Sequence, residues 1–152
     1  MANADGPRGF KVSGSVVGGR IQGRMFEVDT GVATAIFRGD MAILETDGKA
    51  AVQTAASDDM IGSVLGLFDA DKEPVKTLAA SIAGYMFVSD SPYAQYTVQF
   101  ADSGTAPTVA AIGDGADAIW DHAGVASTGL AGTELSETLV ANNNSGQFQI
   151  LE

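Results

Sequence analysis

The sequence contains no cysteine, which excludes disulfides, iron–sulfur clusters and zinc sites built on thiolates. Its single histidine, His122, excludes a histidine-rich metal site as well. No apolar run approaches the roughly 18 residues that a membrane-spanning helix needs, and the first residues have neither the basic nor the apolar section of a signal peptide. We therefore expect a protein without metal sites of these kinds and without a membrane partner, which stays in the reducing cytoplasm where it is made.

Basic residues are scarce and unevenly placed. The chain has 8 of them against 19 acids, so its formal net charge is −11. This charge repels phosphate groups, and we expect no nucleic-acid partner. Residues 1–24 nevertheless hold four basic residues and a lone acid, whereas nothing after Lys76 is basic. The basic section is either a loose end without a role or an arm that docks on an acidic surface, and charge alone leaves both open.

The composition favours a compact β protein. With 45% hydrophobic and 18% charged residues, the chain is too apolar to be disordered, and its 19 glycines are too many for a helix bundle. Its 152 residues fit a single domain. We expect a glycine-rich N-terminal arm, residues 1–24, followed by a β-barrel-like domain, residues 25–152. The predicted fold class is all-β, a small barrel or sandwich with at most one or two short helices.

Alternation and turn residues predict the individual strands. Alternating apolar residues predict a strand over residues 95–100 and a closing strand over 146–151. Asp47-Gly48 predicts a type I′ hairpin turn, and the glycines inside residues 60–68 predict a bulge or bend. Residues 84–88 should form a central strand. Between strand and short helix, residues 75–83 and 108–120 stay undecided.

The residues that could carry chemistry form no convincing site. A Ser-His-Asp triad would need His122 with Asp121 and Ser127, but adjacent residues on a strand point to opposite faces. Residues 69–73 begin like a calcium loop and then lack its glycine and glutamate. The acids Asp114, Asp117 and Asp121 stand near one copy of a calcium repeat that works only by stacking. We interpret all of these acids as solvated turn residues, and Arg38-Gly39-Asp40, an adhesion tripeptide, as a chance occurrence. We expect no catalytic and no metal-binding residues.

Short motifs spread over most of the chain carry a family resemblance. They are Met1-Ala2-Asn3 with Pro7 and Gly9-Phe10, Gly39-Asp40-Met41-Ala42, Asp47-Gly48-Lys49, the glycine-broken residues 61–68, Tyr85 to Val88 with the turn Ser89-Asp90-Ser91-Pro92, residues 111–117, residues 127–130 with Glu134-Leu135, and the closing residues 147–151. Together they resemble the small decoration proteins, also called cement or head-stabilisation proteins, of tailed-bacteriophage capsids.

The resemblance implies a non-enzymatic β protein, without cofactor, on the outer surface of the virion. Its partners would be the phage major capsid protein and copies of itself, as a homotrimer by family analogy or as a dimer, the commonest soluble oligomer. Our hypothesis for capsid docking names Arg8, Phe10, Lys11, Arg20 and Arg24. The alternative is a carbohydrate- or receptor-binding β module with Tyr93, Tyr96 or Trp120 as its aromatic platform, and a hydrolase is the remote third option.

Overall fold

The computed structural model describes Gly6 and residues 8–55, 58–101, 107–120, 123–141 and 146–151. In these ranges the protein is all-β, which confirms the predicted fold class. The strands are β1 (Lys11–Ser15), β2 (Gly23–Glu27), β3 (Ile36–Phe37), β4 (Met41–Leu44), β5 (Ala50–Val52), β6 (Met60–Asp69), β7 (Pro74–Val75), β8 (Thr77–Leu78), β9 (Gly84–Ser89), β10 (Ala94–Thr97), β11 (Gly115–Ala116), β12 (Ala118–Trp120), β13 (Thr133–Leu135) and β14 (Phe148–Gln149). Val109–Ala111 forms a 3₁₀ turn. Within the described ranges no helix is long and apolar enough to cross a membrane.

The largest sheet has six strands in the order β2-β9-β6-β4-β5, with β7 pairing on β6. All of its strand pairs are antiparallel. Four two-stranded sheets join β1 to β10, β3 to β8, β11 to β14, and β12 to β13. The described strands form a sandwich-like arrangement rather than a closed barrel. As predicted, residues 84–88 lie inside the largest sheet, between β2 and β6.

A bulge in β6 sets which of its side chains face the core. The register between β6 and β9 shifts between Val64 and Gly66, which leaves Leu65 as the extra residue. Because side chains alternate along a strand, this extra residue lets Val64 and Leu67 point to the same face. Both are buried, while Leu65 is exposed. The bulge predicted from the glycines is therefore confirmed.

Apolar side chains form two adjacent clusters. The first lies under the large sheet and includes Val28, Ile36, Ala42, Ala50, Val52, Val64, Leu67, Leu78, Met86 and Val88. The second includes Phe10, Met41, Ala111, Ala116, Ala118, Leu135 and Ile150, with Tyr96 and Phe148 packed against it. The buried Gln53 amide donates to Gln147 Oε1 at 3.2 Å and to the Ala118 carbonyl at 3.3 Å, and so joins the end of β5 to the second cluster.

Several sequence predictions differ from the structure in detail. The β4–β5 turn is a three-residue loop, in which Gly48 N donates to Glu45 O and Glu45 N to Lys49 O. Gly48 has a φ of 84°, whereas Asp47 has no positive φ. A type I′ turn needs positive φ at both residues, so that prediction is wrong, and the loop has the geometry of a type I turn followed by a glycine.

The two segments left undecided are now assigned. Residues 108–120 contain the 3₁₀ turn followed by strands, and residues 75–83 contain the end of β7, then β8 and a turn.

Gly62 sits where β4 and β6 meet Ser89, and no side chain fits there. Its φ is 150°, and a Cβ at this position would overlap the carbonyl oxygen of Ser89. We expect Gly62→Ala to lower the free energy of unfolding by at least about 3 kcal/mol, because the backbone of β6 or β9 must move. Urea denaturation measures the effect.

Gly48→Ala is the matched control. Gly48 also has a positive φ, of 84°, but apart from its two neighbours in the chain no described residue has an atom within 4 Å of the place that a Cβ would take. The control should therefore lose only the strain of a left-handed alanine, about 1 kcal/mol. Equal losses in the two variants would contradict the close contact between Gly62 and Ser89.

Candidate functional site

Four basic side chains of the N-terminal part are exposed, and no acid lies among them. We call residues 8–25 the basic segment, because its only charged residues are Arg8, Lys11, Arg20 and Arg24. Lys11 lies on β1 and Arg24 on β2. Among the described strands, β1 pairs only with β10, and β2 pairs only with β9 at the end of the large sheet. The basic segment therefore supplies two edge strands that carry cations.

One of these cations has an acidic neighbour inside the molecule. Arg24 Nε lies 3.0 Å from Asp90 Oδ2, while 70% of the Arg24 side chain remains exposed. An exposed ion pair of this kind contributes at most about 1 kcal/mol. Arg24 can therefore turn to an external acid at little cost, and Arg8, Lys11 and Arg20 are exposed too.

The docking hypothesis requires Phe10 to be accessible to a partner, but the structure buries it. It is only 1% exposed, and its ring stacks on Phe148 at 4.8 Å and meets Tyr96 edge to face at 5.8 Å. Its backbone N–H donates to Gly39 O at 2.8 Å, and its carbonyl accepts from Ser63 Oγ at 2.6 Å. In this structure the ring offers no surface to a partner, so Phe10 fixes the start of β1 instead of forming a contact.

Exposed apolar side chains accompany the cations, and the sequence did not single them out as contact residues. Val16 is 62% exposed, Val17 67% and Met25 43%. β1 ends at Ser15, and the two valines lie in the turn that follows it. A β-branched pair directly before Gly18-Gly19 is the signal that could have identified them as exposed.

Within the Arg38-Gly39-Asp40 tripeptide, Arg38 is exposed but Gly39 and Asp40 are buried. Asp40 is fully buried, and its carboxylate accepts from Phe37 N at 2.8 Å and from Thr133 Oγ1 at 2.7 Å. Burial raises the pKa of Asp40 from 3.8 to about 6, although the hydrogen bonds from Thr133 and Phe37 act in the opposite direction. An adhesion receptor would have to reach this carboxylate, and here it lies in the interior.

One carboxylate in each of the two acidic clusters accepts hydrogen bonds from backbone N–H groups. Asp69 Oδ1 accepts from Asp71 N at 3.0 Å and from Glu73 N at 2.9 Å, which closes the tight turn between β6 and β7. Asp117 Oδ1 accepts from Gln147 N at 3.0 Å. In the parts of the chain that the structure describes, no three His, Asp or Glu side chains are grouped to hold a metal ion.

The remaining candidates are placed as follows. His122 and Asp121 lie outside the described residues, and Ser127 is exposed in a turn. Tyr93 and Trp120 are exposed, whereas Tyr96 is half-buried and its hydroxyl lies 3.1 Å from Ser89 Oγ.

No protein-family model, curated protein or solved structure matches the chain.

The buried carboxylate predicts a pH dependence. Because the folded pKa of Asp40, about 6, exceeds the value of 3.8, the folded state binds this proton more tightly than the unfolded state does. The contribution of Asp40 to the free energy of unfolding is then greatest at low pH and falls as the pH rises from about 4 to about 6.5. We expect this residue to lower the free energy of unfolding by roughly 2–3 kcal/mol between pH 4 and pH 7.

The test compares Asp40→Asn with wild type in urea titrations across this pH range. The variant loses an acceptor at every pH, but its free energy of unfolding should fall less between pH 4 and pH 7. Asp59→Asn, which changes an exposed acid, should keep the wild-type slope. If Asp40→Asn also kept that slope, the carboxylate would not be ionising inside the protein.

Proposed function

We propose that the chain is a structural virion protein that binds the outer surface of a tailed-phage capsid and stabilises the lattice of its major capsid protein. The observation that carries the proposal is the basic segment, which displays four exposed cations, contains no acid of its own and meets one acid, Asp90, in a protein of net charge −11. The sequence resemblance to capsid decoration proteins supports the same role. The proposal contains no catalytic step.

Charge favours one orientation on a shell. The basic segment would face an acidic surface of the capsid protein, while acids that lie away from this segment would face outward. Coated particles would then repel one another and stay dispersed. The exposed Val16, Val17 and Met25 would add apolar contact between the cations.

Single contacts of this kind are weak, so the proposal includes an oligomer. An exposed ion pair is worth about 0–1 kcal/mol. Joining several copies makes the later contacts intramolecular and can raise the overall avidity by about 10²–10⁴. We propose a homotrimer, by analogy with the resembled family, and a dimer is the other state that light scattering would reveal.

Removal of three cations tests the docking surface. Arg8→Gln, Lys11→Gln and Arg20→Gln together should lower co-sedimentation with undecorated shells of the parent phage by about tenfold or more, since three charge contacts are lost. Binding of the unchanged protein should also weaken as salt is raised, because exposed charges are screened. Deleting residues 1–20 would be a poorer test, since it removes Phe10 from the second cluster.

The matched control is the triple variant Arg38→Gln, Lys72→Gln and Lys76→Gln. These basic residues are also exposed, and either triple variant removes three positive charges, which takes the formal charge from −11 to −14. The control should sediment with shells almost as well as wild type. If both triple variants bound like wild type, the basic segment would not be the docking surface.

A cementing role also predicts a change in the shell itself. Shells that lack the protein should assemble, but they should rupture at a lower temperature than decorated shells, because bound copies stabilise the intact lattice by mass action. Light scattering during a temperature ramp, with bare and re-decorated shells side by side, measures the difference. Equal rupture temperatures at saturating protein would contradict the cementing role.

A further inference from the structure

A groove of about 440 Å³ runs between β10 and the C-terminal residues 147–151. β1 contributes Ser13 and the turn after it contributes Val16, both at the border of the groove. The volume lies in the range of about 300–1,000 Å³ that is typical of small-molecule sites. The docking role proposed above uses one residue of this lining, Val16, and none of the others.

Among the residues that the structure describes, no charged side chain lines the groove. Charged residues are common elsewhere in the chain, which has 8 basic and 19 acidic residues and a net charge of −11, so the uncharged lining distinguishes the groove from the rest of the protein. A charged ligand would leave water for a site that offers it no opposite charge, and that transfer is unfavourable. The lining therefore favours a neutral ligand.

The polar groups of the groove are amides and hydroxyls. Ser13 and Thr97 bring hydroxyls, and Gln95 and Gln149 bring side-chain amides. Ser13, Thr97 and Gln95 can each both donate and accept a hydrogen bond, as the hydroxyls of a sugar do. Gln149 Nε2 already donates to Gly113 O at 3.3 Å, so this residue offers its Oε1 as an acceptor. Thr97 and Ser13 are exposed, so their hydroxyls are open to a ligand.

Aromatic and apolar groups form the rest of the lining. Tyr96 and Phe148 meet edge to face at 5.8 Å, and Phe10 packs against both rings. The hydroxyl of Tyr96 is held 3.1 Å from Ser89 Oγ. Because these rings are fixed by packing, a ligand that lies on them would need little rearrangement of the protein.

We propose that this groove binds a neutral carbohydrate, a function separate from attachment to a shell. The apolar C–H faces of a sugar would pack on Tyr96, Phe148 and Pro92, and its hydroxyls would bond to Gln95, Thr97 and Gln149. An extended uncharged peptide is the competing occupant. It would pair with the open edge of β10, but that strand has four residues, and only alternate residues direct their backbone groups to one edge.

The test applies the full-length protein to an array of neutral, sialylated and sulfated glycans and to an array of uncharged peptides. We expect binding to neutral glycans. A neutral trisaccharide that binds on the array is then titrated calorimetrically into wild type and into Gln95→Ala with Thr97→Val. The double variant should bind about tenfold more weakly or worse, since two polar partners are lost.

Gln22→Ala with Thr30→Val is the control, because both residues are exposed and neither lines the groove. It should keep wild-type affinity, and urea midpoints should show that both double variants are folded. The proposal is overturned by binding to charged glycans alone, by binding to peptides without glycans, by no binding, or by equal affinity in the two double variants. Shell co-sedimentation of the groove variant separates the two functions, since it should remain at the wild-type level.

Discussion

The structure depends on one buried turn, residues 37–40, that binds three distant parts of the chain. The Asp40 carboxylate accepts a hydrogen bond from the turn's own backbone and another from Thr133 of β13. The backbone of the turn bonds to Val64 of the central strand β6 in both directions, and it accepts from Phe10 N. One turn thus connects the N-terminal segment, the large sheet and the second apolar cluster.

A buried acid at this point has a physical reason. Two donors, a backbone N–H and a threonine hydroxyl, point to the same small volume, and a carboxylate has an oxygen for each of them. An apolar side chain would leave both donors unsatisfied, at about 1–3 kcal/mol for each. Burying the carboxylate raises the pKa of Asp40, but the two hydrogen bonds that it accepts hold the turn in place. Since Phe10 is attached to this turn, the start of β1 is fixed with it.

The sequence predicts the all-β class, the inner position of residues 84–88 and the bulge in β6, because alternation and glycine placement are local signals. It misplaces Phe10, whose burial follows from contact with Phe148, a residue remote in sequence, whereas its polar neighbours make it look exposed. It makes no prediction for the Asp40 carboxylate, whose burial depends on the equally remote Thr133. The positions of the four cations are read directly from the sequence, but the exposure of the apolar residues beside them depends on where β1 ends, and strand ends are set by tertiary pairing.

The rigid attachment of β1 bears on both proposed surfaces. Lys11 is exposed on this strand, while Ser13 of the same strand borders the uncharged groove. A flexible arm would lose conformational entropy on docking, about 1–2 kcal/mol for each residue that becomes ordered, which is more than one exposed ion pair returns. Because the burial of Phe10 settles the position of β1 during folding, cations near it can contribute to binding without that loss. In the docking proposed above, the cations close to Phe10 would therefore act from a strand that is anchored in the core.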